Sequence, residues 1–236
     1  MKLVVVGTGI KLGQALPKVV LEMQQAQKLL YLVAHPITAT WLRQLNRNAE
    51  SLSRFYASGK RRSESYEEMA QHTLSFLKRG KSVCLALNGH PGIAAKMPRL
   101  ALRRAREAGF ETELHPGVSF LDCLASDLGI DPVERGISIF DATDFLKRRR
   151  QPDTSTDLVL LQPAVAGSDD CTPNPEGLRL LASRLADAYG SDYEVVLYEA
   201  AVLPMIQAEI AKVPLRELAS ADLSAATTLY APALTG

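Results

Sequence analysis

The chain has 236 residues, 47% of them hydrophobic, which is enough to bury one large core or two compact ones. Its 27 basic residues nearly balance its 26 acidic residues, so the composition does not favour a nucleic-acid-binding protein. No apolar run reaches the roughly 18 residues that span a membrane, and the N-terminal run is too short for a signal-peptide core. We therefore expect a cytoplasmic protein with neither nucleic-acid nor membrane partners.

The first half of the chain alternates apolar strands with amphipathic helices. In chain order, strands are predicted at "KLVVVGTG", "KLLYLVA", "SVCLALNG" and "ETELHPG". The intervening or following helices are predicted at "KLGQALPKVVLEMQQAQ", "SYEEMAQHTLSFLKRGK", "MPRLALRRAREAGF" and "VSFLDCLASDLG". Ser65 stands at the start of the second helix, before two acidic residues. This alternation predicts a parallel sheet with helical crossovers.

The second half is richer in strands. They are predicted at "ISIFDATDF", "DLVLLQPAVAG", "EVVLYEA" and "TTLYAPA", with one long helix at "PEGLRLLASRLADAYG" and an exposed connection at "FLKRRRQPDTSTD". Prolines and glycines cluster near residues 115–135, where a domain boundary is expected. The sequence thus predicts an α/β protein of two lobes: 1–120 with a parallel sheet, and 121–236 with a mixed sheet.

Two glycine-containing loops follow predicted parallel strands. "NGHPG" occupies 88–92 and "HPGVS" occupies 115–119. The carboxyl ends of such strands are where open α/β sheets bind ligands, so the two loops predict a cleft for a small polar ligand. "GTGIKLG" after the first strand departs from the dinucleotide fingerprint, because Leu12 stands where the third glycine belongs.

The remaining candidate groups are less specific. The cysteines Cys84, Cys123 and Cys171 are too widely spaced for a disulfide framework or a metal knuckle. The histidines lack metal-ligand spacing, so no metal is expected; they are His35, His72, His90 and His115. No Ser-His-Asp arrangement is recognisable. The stretch "YASGKRRSESY", 56–66, taken by itself is typical of a basic loop that precedes a helix.

The order of these motifs is familiar. "VVVGTGI", "GHPG", "PGVS", "DLGIDP" and "EVVLYEA" resemble the tetrapyrrole-methylase superfamily of S-adenosylmethionine (SAM) methyltransferases. Within it, "WLRQLN", "YASGKRRSESYEEM", "PGVSFLDCLASDLGIDP", "DATDFL" and "LVLLQPAVAG" are most similar to the borosin peptide backbone α-N-methyltransferases. The resemblance implies a two-lobed fold with SAM in the cleft between the lobes, S-adenosylhomocysteine as product and no metal.

In the borosin branch the 56–66 stretch is catalytic, and the resemblance assigns that role to Tyr56, Arg62 and Tyr66. An amide nitrogen is a poor nucleophile because its lone pair is delocalised into the carbonyl. A phenol beside a guanidinium can act as the base that removes the N–H proton. The guanidinium or a second phenol can stabilise charge on the carbonyl oxygen.

The resemblance also assigns the residues that bind SAM. They are Asn88, His90, Gly92, Ile93, Ala94, Ser119, Phe120, Gln162, Tyr198 and Thr228. Three of these positions depart from the family pattern. The family commonly has a tyrosine at Asn88 and an aromatic residue at Ala94, and the branch usually has Ala-Glu where Phe120 and the following leucine stand. These departures predict an altered cofactor wall and peptide pocket.

The resemblance further implies a homodimer and a peptide substrate. Fused borosins carry their substrate as a C-terminal extension, whereas this chain ends shortly after its last predicted strand, so we expect a separate precursor peptide. Two alternatives remain open. One is a C-methyltransferase that acts on a corrin or porphyrin. The other is a catalytically degenerate protein that binds SAM or a peptide.

Overall fold

The computed structural model describes residues 1–170 and 172–234, so Cys171 lies outside the described residues. The chain forms two compact units. The first comprises Met1–Cys123 and Val202–Ile206, and the second comprises Leu124–Ala201 and the chain from Gln207 onward. None of the described helices combines the length and apolarity needed to cross a membrane.

The first unit contains a five-stranded parallel sheet. Its strands are β1 (Lys2–Gly7), β2 (Lys28–Leu32), β3 (Ala49–Ser51), β4 (Val83–Leu87) and β5 (Glu111–His115). Its helices are α1 (Pro17–Gln25), α2 (Pro36–Leu45), α3 (Arg62–Lys78) and α4 (Lys96–Glu107). The strand order is β3-β2-β4-β1-β5, with every pair parallel. The parallel sheet predicted for this half is confirmed.

Apolar side chains cover both faces of this sheet because successive residues of a strand point to opposite faces. On one face Leu3 and Val5 pack in a cluster with Met69 of α3 and Ala101 of α4. On the other face the alternate residues of β1 pack in a second cluster with α1 and α2. The helical crossovers therefore leave the loops at the carboxyl ends of β1, β4 and β5 at one edge.

The second unit contains a mixed sheet. Its strands are β6 (Ile137–Asp141), β7 (Asp157–Leu161), β8 (Glu194–Glu199), β9 (Glu209–Pro214) and β10 (Thr228–Ala231). Its helices are α6 (Ala142–Lys147), α7 (Pro175–Tyr189) and α8 (Leu215–Leu218); α5 (Phe120–Leu128) contains the boundary between the units. The strand order is β6-β7-β10-β8-β9. Only β6 and β7 run parallel among these neighbours, which confirms the predicted mixed sheet.

Several element boundaries differ from the prediction. Helix α3 begins at Arg62, and Ser65 is buried within it rather than preceding it. The strand predicted at "ISIFDATDF" ends at Asp141, because the Asp141 carboxylate accepts the N–H of Asp144 and caps α6. Phe145 of α6 is fully buried, although the sequence placed it in an exposed connection.

Candidate active site

Glycines let three loops of the first unit pack backbone against backbone. A Cβ on Gly7, at the end of β1, would lie 2.3 Å from the Gly89 carbonyl oxygen and 3.0 Å from the Gly117 Cα. A Cβ on Gly117 would lie 2.6 Å from the same oxygen. The Gly89 N–H donates to the Gly9 carbonyl at 2.8 Å. Only glycine permits this approach, so the loops that follow β1, β4 and β5 form one continuous edge.

The loop after β4 carries five of the residues predicted to bind SAM. Asn88, Ile93 and Ala94 are exposed, whereas His90 and Gly92 are half-buried. The His90 Nδ1 accepts the Gly92 N–H at 2.9 Å, which holds the turn. Ala94 has a φ of 51°, a left-handed conformation that costs a non-glycine residue about 1–2 kcal/mol. The loop is thus held in one unusual conformation with exposed side chains available to a ligand.

The loop after β5 is held by a helix cap. The Ser119 N–H and hydroxyl both donate to the Asp122 Oδ2 at 2.6 Å, and the Asp122 N–H donates to the Ser119 Oγ at 3.3 Å. This reciprocal pairing is a capping box at the start of α5. The Ser119 hydroxyl is the main cause that lowers the pKa of the Asp122 carboxyl. Ser119 is buried, and its hydrogen bonds give it a structural role in capping the helix. Phe120, the first residue of the helix, is half-buried.

In the second unit, topology brings the other three predicted SAM contacts to one end of the sheet. Thr228 pairs in register with Tyr198 on β8 and with Leu161 on β7, and Gln162 directly follows that strand. Gln162 also has a left-handed φ of 57°. Tyr198 is only 1% exposed, and its hydroxyl donates to the Asp127 Oδ2 at 2.7 Å. The structure thus groups residues that lie far apart in the sequence.

The three predicted catalytic residues are neighbours in the first unit. Tyr56 follows a 3-10 turn, Ser53–Phe55, and is 40% exposed. Its ring meets that of Tyr66 edge to face, with 6.3 Å between centroids and 77° between planes. Arg62 is the first residue of α3 and lies one helical turn before Tyr66, on the same face. Two of its guanidinium nitrogens, Nε and Nη2, are buried.

A lysine supports the segment that carries Tyr56. The Lys60 Nζ donates to the Phe55 carbonyl at 3.1 Å and to the Glu68 Oε2 at 2.7 Å. These contacts tie the connection before α3 to the helix itself. In the sequence, Lys60 is recognisable only as part of a basic run. Glu68, eight positions after Lys60, was the signal for this ion pair in the sequence. The chain turns at Gly59, which has a φ of 73°, directly before Lys60.

The chain matches one protein family over most of its length. The model of the tetrapyrrole (corrin/porphyrin) methylases matches residues 2–219. The chain belongs to this family. Its members are SAM-dependent methyltransferases, and the family assignment made from the sequence motifs is confirmed.

Two relatives are similar over much of this methylase chain. The methyltransferase/ribosomally synthesized type III borosin cyclic peptide precursor of Anomoporia bombycina is 35% identical over 98% of the chain. The corresponding dendrothelin A precursor of Dendrothele bispora is 36% identical over 86% of the chain. The chain spans 28% and 49% of the length of these two relatives.

Solved structures share the methylase fold. Uroporphyrin-III-C-methyltransferase from Thermus thermophilus superposes with a TM-score of 0.69 and 16% identity, covering 98% of this chain and 92% of that one. Another crystal structure of this Thermus enzyme, complexed with S-adenosylhomocysteine, has a TM-score of 0.64 and 17% identity, covering 98% of this chain and 96% of that one. At this identity the likeness shows the fold, in agreement with the two-sheet architecture.

Proposed function

We propose that the chain is a SAM-dependent methyltransferase that acts on backbone amide nitrogens of a separate precursor peptide, and that it works as a homodimer. The observation that carries the proposal is the grouping of Tyr56, Arg62 and Tyr66. Amide N-methylation requires a base and a group that stabilises charge on the carbonyl oxygen, and a phenol and a guanidinium can fill these two roles. The relatives, whose names join a methyltransferase to a cyclic peptide precursor, support a peptide substrate.

The residues at the carboxyl edge of the first sheet fit a polar cofactor. Their loops pack closely backbone against backbone, while Asn88, Ile93 and Ala94 remain exposed. We propose that SAM contacts these three residues together with His90 and Gly92, and that Ser119 and Phe120 shape the neighbouring wall. Gln162, Tyr198 and Thr228 remain predicted contacts of the second unit. When bound, SAM supplies the methyl group, so that a new N–CH₃ bond forms as the S–CH₃ bond breaks and S-adenosylhomocysteine is left.

The chain's own residues activate the amide. A phenolate of Tyr66 or Tyr56 takes the N–H proton and later releases it to water. As the proton leaves, negative charge develops on the carbonyl oxygen, and the Arg62 guanidinium stabilises it. Because the two tyrosines contact one another and Arg62 precedes Tyr66 by one turn, the proton acceptor and the charge-stabilising group can serve the same peptide bond.

Co-expression with candidate precursor peptides tests the proposal. Peptides encoded beside this gene are purified and sequenced by tandem mass spectrometry. We expect mass increments of one methyl group on backbone nitrogens. Calorimetric titration with SAM and S-adenosylhomocysteine establishes cofactor binding independently of the peptide.

The same measurements separate the alternatives. Methylation of a uroporphyrinogen in place of the peptides would identify a tetrapyrrole C-methyltransferase and contradict the peptide assignment. Cofactor binding without methylation of any candidate peptide or tetrapyrrole would support a degenerate binding protein. Failure to bind SAM or its product at millimolar concentration would overturn the proposal as a whole.

A further inference from the structure

Beyond the proposed methyl transfer, we propose that the first unit holds a divalent transition-metal ion between α1 and β5. Glu22 of α1 and Glu113 and His115 of β5 each offer one ligand atom, and these atoms all lie within 4.8 Å of one another. The His115 Nε2 is 3.3 Å from the Glu113 Oε1 and 4.0 Å from the Glu22 Oε1. No metal was expected from the sequence because the histidines lack metal-ligand spacing, and Glu22 lies far from the other two residues in the chain.

The sheet directs these groups toward α1. β5 is an edge strand, and in its register Glu113 and His115 pair with Val4 and Val6 of β1. Both valines belong to the apolar cluster that contains buried residues of α1. Cross-strand neighbours point to the same face, so Glu113 and His115 lie on the side that α1 covers.

His115 is buried with its ring nitrogen unsatisfied. The residue is 9% exposed, and its Nε2 atom is inaccessible to water. Among the residues that the structure describes, no hydrogen bond reaches this nitrogen, although a carboxylate oxygen lies 3.3 Å away. Both carboxylates lie within 4.0 Å of this nitrogen without forming a hydrogen bond to it, and a cation coordinated by all three groups would satisfy the buried ring nitrogen.

The distances and donors favour zinc or a similar ion. With metal–ligand bonds of 2.0–2.1 Å, tetrahedral ligand atoms lie about 3.3–3.4 Å apart. The separation between His115 and Glu113 already has this value. The Glu22 Oε1, on a side chain that is 31% exposed, has to approach the His115 Nε2 from 4.0 Å, a movement of about 0.6–0.7 Å. One imidazole with two carboxylates suits Zn²⁺ or Co²⁺ better than Mg²⁺, and water would complete the shell.

Two lysines set the properties of the site. Lys2 pairs with the Glu113 Oε2, which orients the carboxylate and leaves Oε1 toward the histidine. Lys18, one turn before Glu22 on α1, lies 3.5 Å from the Glu113 Oε1 and competes with a cation for that oxygen. Its side chain is 64% exposed, so it can swing into solvent when the ion binds.

Occupancy would tie α1 to the end of β5. His115 is the last residue of that strand and directly precedes the Pro116–Ser119 loop. By linking α1 to the residue that precedes this loop, a bound ion would therefore stabilise the loop. Its role would be structural. The site and the methylation chemistry use different residues, so either proposal can fail without the other.

Zinc binding to tag-free, chelator-treated protein tests the site. Competition against a chromophoric chelator gives affinity and stoichiometry, and we expect one Zn²⁺ per chain with a higher thermal unfolding midpoint in its presence. Glu22→Gln, at a partly exposed position, should weaken binding at least about tenfold, and His115→Gln should do the same. Lys18→Met should tighten binding because it removes the competing cation.

Matched controls distinguish this site from adventitious binding. His35→Asn removes a half-buried imidazole elsewhere, keeps a helix-capping side chain and should leave zinc affinity unchanged. The Co²⁺ absorption spectrum should lack the thiolate-to-metal band that a cysteine ligand would add. The proposal is overturned if wild-type protein binds no zinc at micromolar concentration, or if Glu22→Gln binds zinc as tightly as wild type while its circular dichroism is unchanged.

Discussion

Replacing Gly7 by alanine should displace the loop that we propose binds SAM. The new Cβ would lie 2.3 Å from the Gly89 carbonyl oxygen, and real Cβ atoms stay at least 3.0 Å away, so that oxygen has to move by at least about 0.7 Å. Because the oxygen belongs to the backbone, the 88–92 loop moves with it. Overpacking of this kind costs about 1–3 kcal/mol of stability. A shift near 1 Å at a binding loop costs up to about a hundredfold in function.

Calorimetric titration with SAM measures the effect, and chemical denaturation measures the cost in stability. We expect the SAM affinity of Gly7→Ala to fall at least about tenfold. Gly109→Ala is the matched control: its φ of 80° strains alanine by about 1–2 kcal/mol, but nothing lies within 4 Å of the added methyl group. It should lose stability and keep its SAM affinity. Wild-type affinity in Gly7→Ala would refute the reasoning.

Three further changes test parts of the account. Ser119→Ala removes a helix cap and should lower the free energy of unfolding by about 1 kcal/mol at neutral pH. The pKa of the Asp122 carboxyl is lowered in the folded protein. The difference in unfolding free energy from wild type should therefore shrink as the pH falls below the ordinary aspartate pKa of about 3.9. Asp157→Ala leaves the buried Tyr230 hydroxyl and a backbone N–H without their acceptor and should lower the free energy of unfolding by about 2–4 kcal/mol, as measured by urea denaturation. Ala94→Val places a β-branched side chain at a left-handed φ, so its thermal midpoint should fall, whereas that of Ala94→Gly should not.

The fold was predictable where burial imposes a pattern. All five residues of Val83–Leu87 are buried, and the continuous apolar run is typical of a central parallel strand. Strand β9 was missed because it is an edge strand with four exposed residues, Glu209 to Lys212, and no alternation. The start of α3 was predicted too late, at Ser65, because a small side chain suits a buried helical position as well as a cap.

The candidate site was predictable only in part. Glycines and prolines in 88–92 and 115–119 marked the loops, since their backbone requirements are local. The approach of Gly7 to Gly89 is tertiary, and so is the cluster of Glu22 with His115, because each joins elements distant in sequence. The edge-to-face contact of Tyr56 with Tyr66 depends on the path of the chain between them, which the basic residues of that stretch did not indicate.

Single-turnover methylation of a precursor peptide tests the central claim most directly. Purified wild type, Arg62→Ala and Tyr66→Phe are mixed with labelled SAM and peptide, and tandem mass spectrometry locates the methyl groups. Arg79→Ala, at the other end of α3, and Tyr193→Phe, in the second unit, serve as controls that should retain wild-type rates. We expect methyl groups on backbone nitrogens, with rates at least about a hundredfold lower in the two site variants but unchanged SAM affinity. Wild-type turnover in both site variants would contradict the assigned roles.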